Sequence, residues 1–311
     1  MKNLIIASTS TIHGGIYLSY LLPEIAKLFS ETEEILFIPY ARPGGISHDT
    51  YTEIAQEAFT KIKKKVIGIH TLENAMEAIK NAKGIFIGGG NTFVLVSELY
   101  RKNTLEVLRK AIFEGLPYLG TSAGSNICGV TMNTTNDMPI IYPPSFKTLG
   151  IIPFNINPHY LDPDPSSKHM GETREIRINE FHTQSTIPVI GIREGSWLQV
   201  KGNTILLKGS HTARVFEQNK APYEIETETV IDFLMELVAI GFFEVDFGYN
   251  STTENWLIPL RNYIEKVPCT SRVDIEFVEI LYKNLNDFQN ANLKQRVTIL
   301  EGSHRLINEF I

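Results

Sequence analysis

Short apolar runs and longer amphipathic runs alternate through the first 120 residues of the chain. Apolar runs of a few residues predict strands, and apolar positions spaced three or four residues apart predict helices. The predicted strands are 3–8, 34–41, 65–70, 84–90 and 117–120, and the predicted helices are 15–29, 48–62, 74–82, 92–102 and 104–115. Pro23 falls inside the first helical pattern, where it indicates either a kink or a later start of the helix.

This alternation predicts an α/β fold, a doubly wound and mostly parallel sheet with helices on both faces. The strand runs are almost continuously apolar, which is typical of strands that are buried on both sides. Ligands of such sheets bind at the carboxyl ends of the strands. Two predicted strands run into glycine-rich ends, at 88–90 and at 120–124, and these ends are the predicted site.

The pattern changes after residue 185 to consecutive strands, with a predicted hairpin at Lys201-Gly202-Asn203. From about Thr229 the pattern is helical, because Thr229 and Asp232 form a capping-box-like pair ahead of an apolar run. The predicted organisation is an α/β domain over residues 1–225, with a boundary near 225, and a helical extension over 226–311. The extension carries apolar helical runs at 230–243, 255–265 and 273–286.

Composition and charge bear on the partners and the location of the protein. The chain is 43% hydrophobic and 21% charged, as is ordinary for a globular protein. Its net charge of −6 weighs against a nucleic-acid partner, since no basic surplus is present to neutralise phosphates. The two cysteines, Cys128 and Cys269, suggest neither a disulfide framework nor a zinc site, and they favour a cytoplasmic, reducing location.

The two stretches that come nearest to a membrane signal both fall short of one. The N-terminal stretch MKNLIIASTS has too short an apolar segment for a signal peptide. The longest apolar run, 233–243, contains Glu236 and falls short of the roughly 18 residues that cross a bilayer. We therefore expect no membrane span.

Ser122 lies in the pattern G-x-S-x-G, from Gly120 to Gly124, directly after a predicted strand. In a nucleophile elbow the chain turns sharply between strand and helix, so that the neighbours of the nucleophile must be small. The amide that follows, here that of Ala123, then points into an anion-binding position. A tight turn with a small residue is the alternative, and pattern and context together leave the two about equally supported.

A serine nucleophile needs a base, and the base needs an acid that orients it. Of the eight histidines, His159 in NINPHY is the best placed, because it follows an apolar run at a predicted strand end. Glu194 follows another predicted strand and is the candidate acid, while Asp137 in TTNDMPI is its rival. Taken singly, a histidine that satisfies a loop carbonyl and a solvated turn carboxylate are the commoner outcomes.

The glycines of Gly88-Gly89-Gly90 allow backbone amides to approach a ligand closely, and Gly90 is the predicted second oxyanion donor. A phosphate-binding loop is an alternative, but the stretch lacks both the lysine of a P-loop and the spacing of a dinucleotide fingerprint. A purely structural turn is the third possibility.

Six short motifs occur in a fixed order: GGGNT, G-x-SAG-x-N, TTNDMPI, INPH, GETRE-x-RI and EG-x-W-x-QV. In this order they resemble the peptidase E family of aspartyl dipeptidases, over residues 1 to about 225. The resemblance implies a fold similar to class I glutaminase domains and a serine–histidine–glutamate triad made of Ser122, His159 and Glu194. It also implies hydrolysis of dipeptides that begin with aspartate, a small acidic peptide substrate, and no metal or organic cofactor.

The resemblance also implies the residues that bind substrate. Arg174 in GETRE is expected to face the aspartate side chain, because a guanidinium binds a carboxylate bidentately. Asp137 is expected in the cleft, Asn91 is a further candidate for substrate binding, and Glu172 is assigned to the substrate amino group from its charge alone. Without the resemblance, GETREIRINEF predicts only a charged amphipathic helix.

Two features depart from the family pattern. The segment YLDPDPSSKHM after His159 is about one residue longer than usual, and we expect it to form a loop over the site. Residues 226–311 have no counterpart, and we expect a helical appendage that packs on the catalytic domain or on a second subunit, with a partner-binding or regulatory role as a lesser alternative. A cyanophycinase-like hydrolase of β-aspartyl-arginine and a catalytically silent binding protein remain as alternative functions.

Overall fold

The computed structural model describes residues 1–163, 166, 171–202 and 204–231, and every structural statement below concerns these residues. The strands are β1 (Asn3–Ala7), β2 (Glu34–Ile38), β3 (Lys65–Gly68), β4 (Ile85–Ile87), β5 (Tyr118–Thr121), β6 (Asn155–Pro158), β7 (Val189–Ile192), β8 (Ser196–Lys201), β9 (Thr204–Gly209), β10 (Ala213–Phe216) and β11 (Tyr223–Ile225). The helices are α1 (Leu22–Leu28), α2 (His48–Thr60), α3 (Ala75–Asn81), α4 (Thr92–Arg101), α5 (Leu105–Phe113), α6 (Ala123–Asn126) and α7 (Arg174–Phe181).

A seven-stranded sheet forms the larger of two sheets, in the order β3-β2-β4-β5-β1-β8-β9. Its first five strands are mutually parallel, and β8 and β9 add an antiparallel edge. Neighbouring side chains on β1, such as Ile5 and Ile6, point to opposite faces, yet both are buried. The predicted α/β fold with a mostly parallel sheet is therefore confirmed.

A second sheet of four strands, in the order β11-β10-β7-β6, was not predicted. β6 and β7 are parallel, whereas β10 is antiparallel to both β7 and β11. Helix α7 covers this sheet through Ile178 and Phe181, which pack with Tyr160, Val189 and Phe216. The GETRE motif thus begins a helix that rests on the smaller sheet.

The first predicted helix begins later than its apolar pattern indicates. Its residues before α1 form turns, and Leu18 has a positive φ of 57°. Pro23 lies in the first turn of α1, where a missing amide proton costs no hydrogen bond. The later start, one of the two interpretations of Pro23, is the correct one.

The helix predicted to start at Thr229 is wrong over the residues that are described. Leu207 donates its amide to the carbonyl of Thr229, Val230 forms a bridge with Leu206, and Ile231 donates to Ile205. This stretch is extended and continues the sheet beyond β9, which suits the β-branched Val230 and Ile231. The predicted runs at 255–265 and 273–286, and the rest of the extension from 232 onward, lie outside the described residues.

Candidate active site

Ser122 lies at the junction between β5 and α6, with φ 52° and ψ −110°. A residue other than glycine adopts positive φ only when its surroundings enforce it. Here the Ser122 amide donates to the carbonyl of Ala7 on the neighbouring strand at 3.2 Å. A Cβ at Gly120 would lie 2.6 Å from the carbonyl oxygen of Gly124, and a Cβ at Gly124 would collide with the carbonyl oxygen of Ile87, so the turn requires glycine on both sides of the serine. The geometry is that of a nucleophile elbow.

His159 directly follows β6, and it also has a positive φ, of 53°. Its amide donates to the hydroxyl oxygen of Ser8, at the end of β1, at 2.8 Å. Its ring nitrogen Nε2 lies 2.9 Å from the Oγ of Ser122. The structure thus brings the predicted base to the predicted nucleophile, although the two belong to different sheets.

Glu194 follows β7, the parallel neighbour of β6, and its Oε1 lies 2.6 Å from the Nδ1 of His159. A carboxylate can only accept a hydrogen bond, so Nδ1 carries the imidazole proton and Nε2 is free to accept from the serine hydroxyl. This is the tautomer that a general base requires. Ser122, His159 and Glu194 therefore form one hydrogen-bonded row, in which the last two side chains are about a third exposed.

The backbone beside Ser122 offers amides for an oxyanion. Within the described part of the chain, the amides of Ala123, Gly89 and Gly90 donate no hydrogen bond. Gly89 packs against the nucleophile, since a Cβ there would lie 2.9 Å from the Cβ of Ser122. Gly90 has φ 145°, and a Cβ there would collide with the carbonyl oxygen of Ala41. The sequence singled out Gly90 and Ala123, and Gly89, from the same glycine run, is a further candidate.

Asp137, the rival acid, does not reach the base. Its Oδ2 accepts from the amide of Thr92 at 2.7 Å, the hydroxyl of Thr92 at 2.6 Å and the hydroxyl of Thr135 at 2.9 Å. The carboxylate therefore lies at the start of α4, where it satisfies one of the free amides of the helix. Its other oxygen, Oδ1, has no hydrogen-bond partner among the described residues.

Asn91 has a structural task that its sequence position did not reveal. Its Oδ1 caps α4 by accepting from the amide of Val94 at 3.1 Å, and its Nδ2 donates to the carbonyl of Met138 at 2.8 Å. Both ends of the side-chain amide are thus occupied. Asn91 connects the glycine stretch to the loop that carries Asp137.

Arg174 is the first residue of α7, and its side chain is half-buried. Burial lowers the pKa of its guanidinium and the positive charge of Arg177 lowers it further, while the negative charge of Asp137 raises it. The guanidinium forms no ion pair with any described residue. Glu172 is exposed and lies 3.7 Å from Arg177, so its carboxylate already has a cationic partner.

Arg193 is a further residue that sequence reasoning missed. It precedes Glu194 and donates to both carboxylate oxygens of Asp162, at 2.7 and 2.8 Å, and to both of Glu224, at 2.8 and 3.0 Å. The hydrogen bond from Arg193 lowers the pKa of Glu224 to about 2 against the effect of burial, and bonds from Thr212 and Arg214 add to it. This network ties the chain before Glu194 to the segment after His159.

Among the described residues, no group of three or more histidine, cysteine, aspartate or glutamate side chains could hold a metal ion. No helix in the same part of the chain is long and apolar enough to cross a membrane. The apolar run 233–243 lies outside the described residues.

Comparison with known proteins agrees with the motif order. Residues 4–208 match the family model "Peptidase family S51". This chain belongs to peptidase family S51. A Streptomyces coelicolor protein named peptidase E is 44% identical over 235 residues, which cover 76% of this chain and 96% of that protein. A Drosophila melanogaster protein named probable alpha-aspartyl dipeptidase is 40% identical over 238 residues, covering 76% of this chain and 98% of that protein.

Solved structures agree on the fold. A putative peptidase E of Listeria monocytogenes has a TM-score of 0.53 at 20% identity and covers 68% of this chain and 100% of its own. A peptidase from an acI-B1 actinobacterium has a TM-score of 0.55 at 16% identity and covers 74% of this chain and 96% of its own. The predicted resemblance to the peptidase E family and the predicted serine-type peptidase are confirmed.

Proposed function

We propose that this chain is a serine peptidase that hydrolyses the peptide bond after an N-terminal aspartate in small peptides. The observation that carries the proposal is the hydrogen-bonded row from Ser122 through His159 to Glu194, at 2.9 and 2.6 Å. The names of the relatives from Streptomyces coelicolor and Drosophila melanogaster support it.

The reaction begins when the Ser122 hydroxyl attacks the carbonyl carbon of the aspartyl residue. A bond forms between Oγ and that carbon, and the hydroxyl proton passes to Nε2 of His159. The charge of Glu194 stabilises the imidazolium that results. The amide of Ala123, with that of Gly89 or Gly90, donates to the oxyanion that develops on the carbonyl oxygen.

Collapse of this intermediate breaks the carbon–nitrogen bond, and Nε2 gives its proton to the leaving amine. The aspartyl group is then an ester of Ser122. Water attacks that ester with His159 again as the base, and free aspartate is released as the serine recovers its proton. Every proton in these steps is taken up or supplied by His159, Ser122, the leaving amine or water.

The side chain of the substrate is recognised by Arg174. Its half-buried guanidinium forms no ion pair with a described residue, and a β-carboxylate would supply the missing partner. Asp137 is better placed than Glu172 for the substrate ammonium group. Its Oδ1 has no hydrogen-bond partner in the part of the chain that the structure describes, while Glu172 is exposed and paired with Arg177. Opposite charges at Arg174 and Asp137 match an N-terminal aspartate, which carries both an anion and a cation.

The proposal includes a cytoplasmic location and the absence of a nucleic-acid partner. A reducing, cytoplasmic location fits Cys128, a buried thiol whose pKa burial raises to about 12 and which is therefore unreactive. A role of residues 226–311 in self-association stays a prediction, as does the expected lack of a nucleic-acid partner. The net charge of −6 still supports the latter.

Hydrolysis of aspartyl p-nitroanilide by the full chain tests the proposal. We expect turnover, and a loss on the order of 10⁴ to 10⁶ in kcat for Ser122→Ala with folding intact. Arg174→Gln should raise KM by roughly 10- to 100-fold, the equivalent of one charge-assisted hydrogen-bond pair. Arg177→Gln, on the exposed side of the same helix, is the matched control and should leave KM within about twofold.

Two other outcomes would replace the proposal. Turnover of β-aspartyl-arginine without turnover of the anilide would indicate a cyanophycinase-like hydrolase. Tight binding of aspartate without any turnover would indicate a silent binding protein of the same fold. Turnover that survives Ser122→Ala would exclude the mechanism.

A further inference from the structure

The carboxyl end of β1 touches both partners of the proton transfer. The carbonyl of Ala7 accepts from the amide of Ser122 at 3.2 Å and from the hydroxyl of Ser125, in α6, at 2.6 Å. The next residue, Ser8, accepts from the amide of His159 at 2.8 Å. Two consecutive residues therefore hold the nucleophile on one side and the base on the other.

The hydroxyl of Ser8 both accepts and donates a hydrogen bond. It accepts from His159 and donates its single proton to the carbonyl of Ile192, the last residue of β7, at 2.7 Å. The side chain is fully buried, so no water competes for either bond. Because both partners are backbone groups in the smaller sheet, the hydroxyl joins the end of β1 to the ends of β6 and β7.

His159 needs this contact because its own backbone is strained. A non-glycine residue at φ 53° persists only where its neighbours fix it. The carbonyl of Ile192 also accepts from the amide of Tyr160 at 3.1 Å, so consecutive amides of the base segment are held by the same pair of groups. Ile192 lies two residues before Glu194, and Ser8 thereby restrains the acid as well as the base.

We propose that Ser8 is a positioning residue that sets the distance between the imidazole of His159 and the hydroxyl of Ser122 across the two sheets. The inference rests on the catalytic roles proposed for these two residues. Ser8 itself touches neither the substrate nor a reacting atom, and it acts through the backbone of His159.

Ser8→Ala removes the acceptor at a fully buried position and leaves the amide of His159 without a partner. We expect kcat on aspartyl p-nitroanilide to fall about 10- to 100-fold, since small misplacement of a catalytic group costs rates of this order. KM should change by less than about threefold, because Arg174 and Asp137 are not contacted by Ser8. Ser8→Cys, which is slightly larger and a weaker acceptor, serves if the alanine variant does not fold.

The second measurement needs no peptide substrate. A small sulfonyl fluoride labels an activated serine, and the rate constant for labelling Ser122 should fall in parallel with kcat. Thr148→Val is the matched control, because Thr148 is also buried and donates to a backbone carbonyl, that of Gly129, at 2.6 Å. Thr148→Val should lose about as much stability as Ser8→Ala but keep the wild-type labelling rate.

The outcomes separate the positioning role from the proposed function. Slower labelling in Ser8→Ala supports the positioning role even if the wild type does not cleave the anilide, in which case only the substrate assignment fails. Labelling at the wild-type rate overturns the positioning role, as does an equal loss of rate in Thr148→Val. If Ser122 of the wild type is not labelled and the wild type does not hydrolyse the anilide, both proposals are wrong.

Discussion

The two halves of the hydrogen-bonded row are built in different ways. The nucleophile half is local, since Ser122 and the glycines that shape its turn lie within five consecutive residues at the end of β5. The base half is assembled from His159 and Glu194, which lie 35 residues apart and meet because Pro158 and Ile192 are paired across β6 and β7. The chain thus encodes one half in a turn and the other in strand pairing.

The two halves also differ in what surrounds them. Ala123 and the turn behind Ser122 are buried, whereas the side chains of His159 and Glu194 are about a third exposed. The base half instead relies on two side chains: the Ser8 hydroxyl accepts from the amide of His159, and Arg193 joins the chain before Glu194 to Asp162. We therefore expect the position of Ser122 to be little affected by substitutions far from its turn. The positions of His159 and Glu194 should be affected by substitutions in several elements.

The largest expected effect among the following tests comes from removing the charge of the base half. Glu194→Gln keeps the size of the side chain but removes the anion that stabilises the imidazolium, and it no longer fixes the tautomer of His159. We expect kcat to fall on the order of 10³- to 10⁴-fold, with little change in KM. Steady-state kinetics on aspartyl p-nitroanilide measure this.

Asp137→Asn is the control for that test. Asp137 accepts from Thr92 and Thr135 and does not contact His159, so its variant should act on KM more than on kcat. If Glu194→Gln retains more than about a tenth of the activity while Asp137→Asn loses kcat, the acid has been assigned to the wrong carboxylate.

A smaller loss of kcat is expected when the glycine stretch that carries the candidate oxyanion amides is displaced. Gly90→Ala introduces a Cβ that collides with the carbonyl of Ala41, at a φ of 145° that alanine does not adopt. The glycine stretch must shift, and we expect a loss of about 10²- to 10³-fold in kcat, as for removal of one oxyanion donor. The kinetic assay should be paired with thermal unfolding.

Gly44→Ala is a matched control for Gly90→Ala. It lies in the nearby loop after β2, and a Cβ there meets no atom within 4 Å. Its kcat should be that of the wild type. Retention of full kcat by Gly90→Ala would show that the amides of this stretch do not serve the reaction.

The sequence predicted those parts of the molecule that depend on neighbours in the chain. The five parallel strands could be predicted because each apolar run is short and buried, and the elbow because Gly120, Ser122 and Gly124 occur together. His159 and Glu194 could be proposed because each follows an apolar strand. Their identification as partners needed the family resemblance, since 35 residues separate them.

The remaining features depend on distant contacts. The four-stranded sheet was missed because β10 pairs with β7, which is not its neighbour in the sequence. The apolar pattern of a strand does not show which other strand it pairs with. Ser8 is a single serine after a strand, and only the approach of β6 gives it a role. Glu172 was chosen by charge alone, and its contact with Arg177 could not be read from the sequence.

The smallest expected effect concerns the strain stored at the nucleophile. Ser122→Ala and Ser122→Gly both remove the hydroxyl, and both should be inactive, but only glycine adopts φ 52° and ψ −110° without steric cost. Strain of about 1–3 kcal/mol, less the added flexibility of glycine in the unfolded chain, should leave the glycine variant about 1 kcal/mol more stable than the alanine variant. Differential unfolding in urea would measure the difference. Equal stability of the two variants would mean that the turn is not strained, and that the rigidity of the nucleophile half comes from its packing against Gly89 and the end of β1 rather than from an enforced backbone conformation.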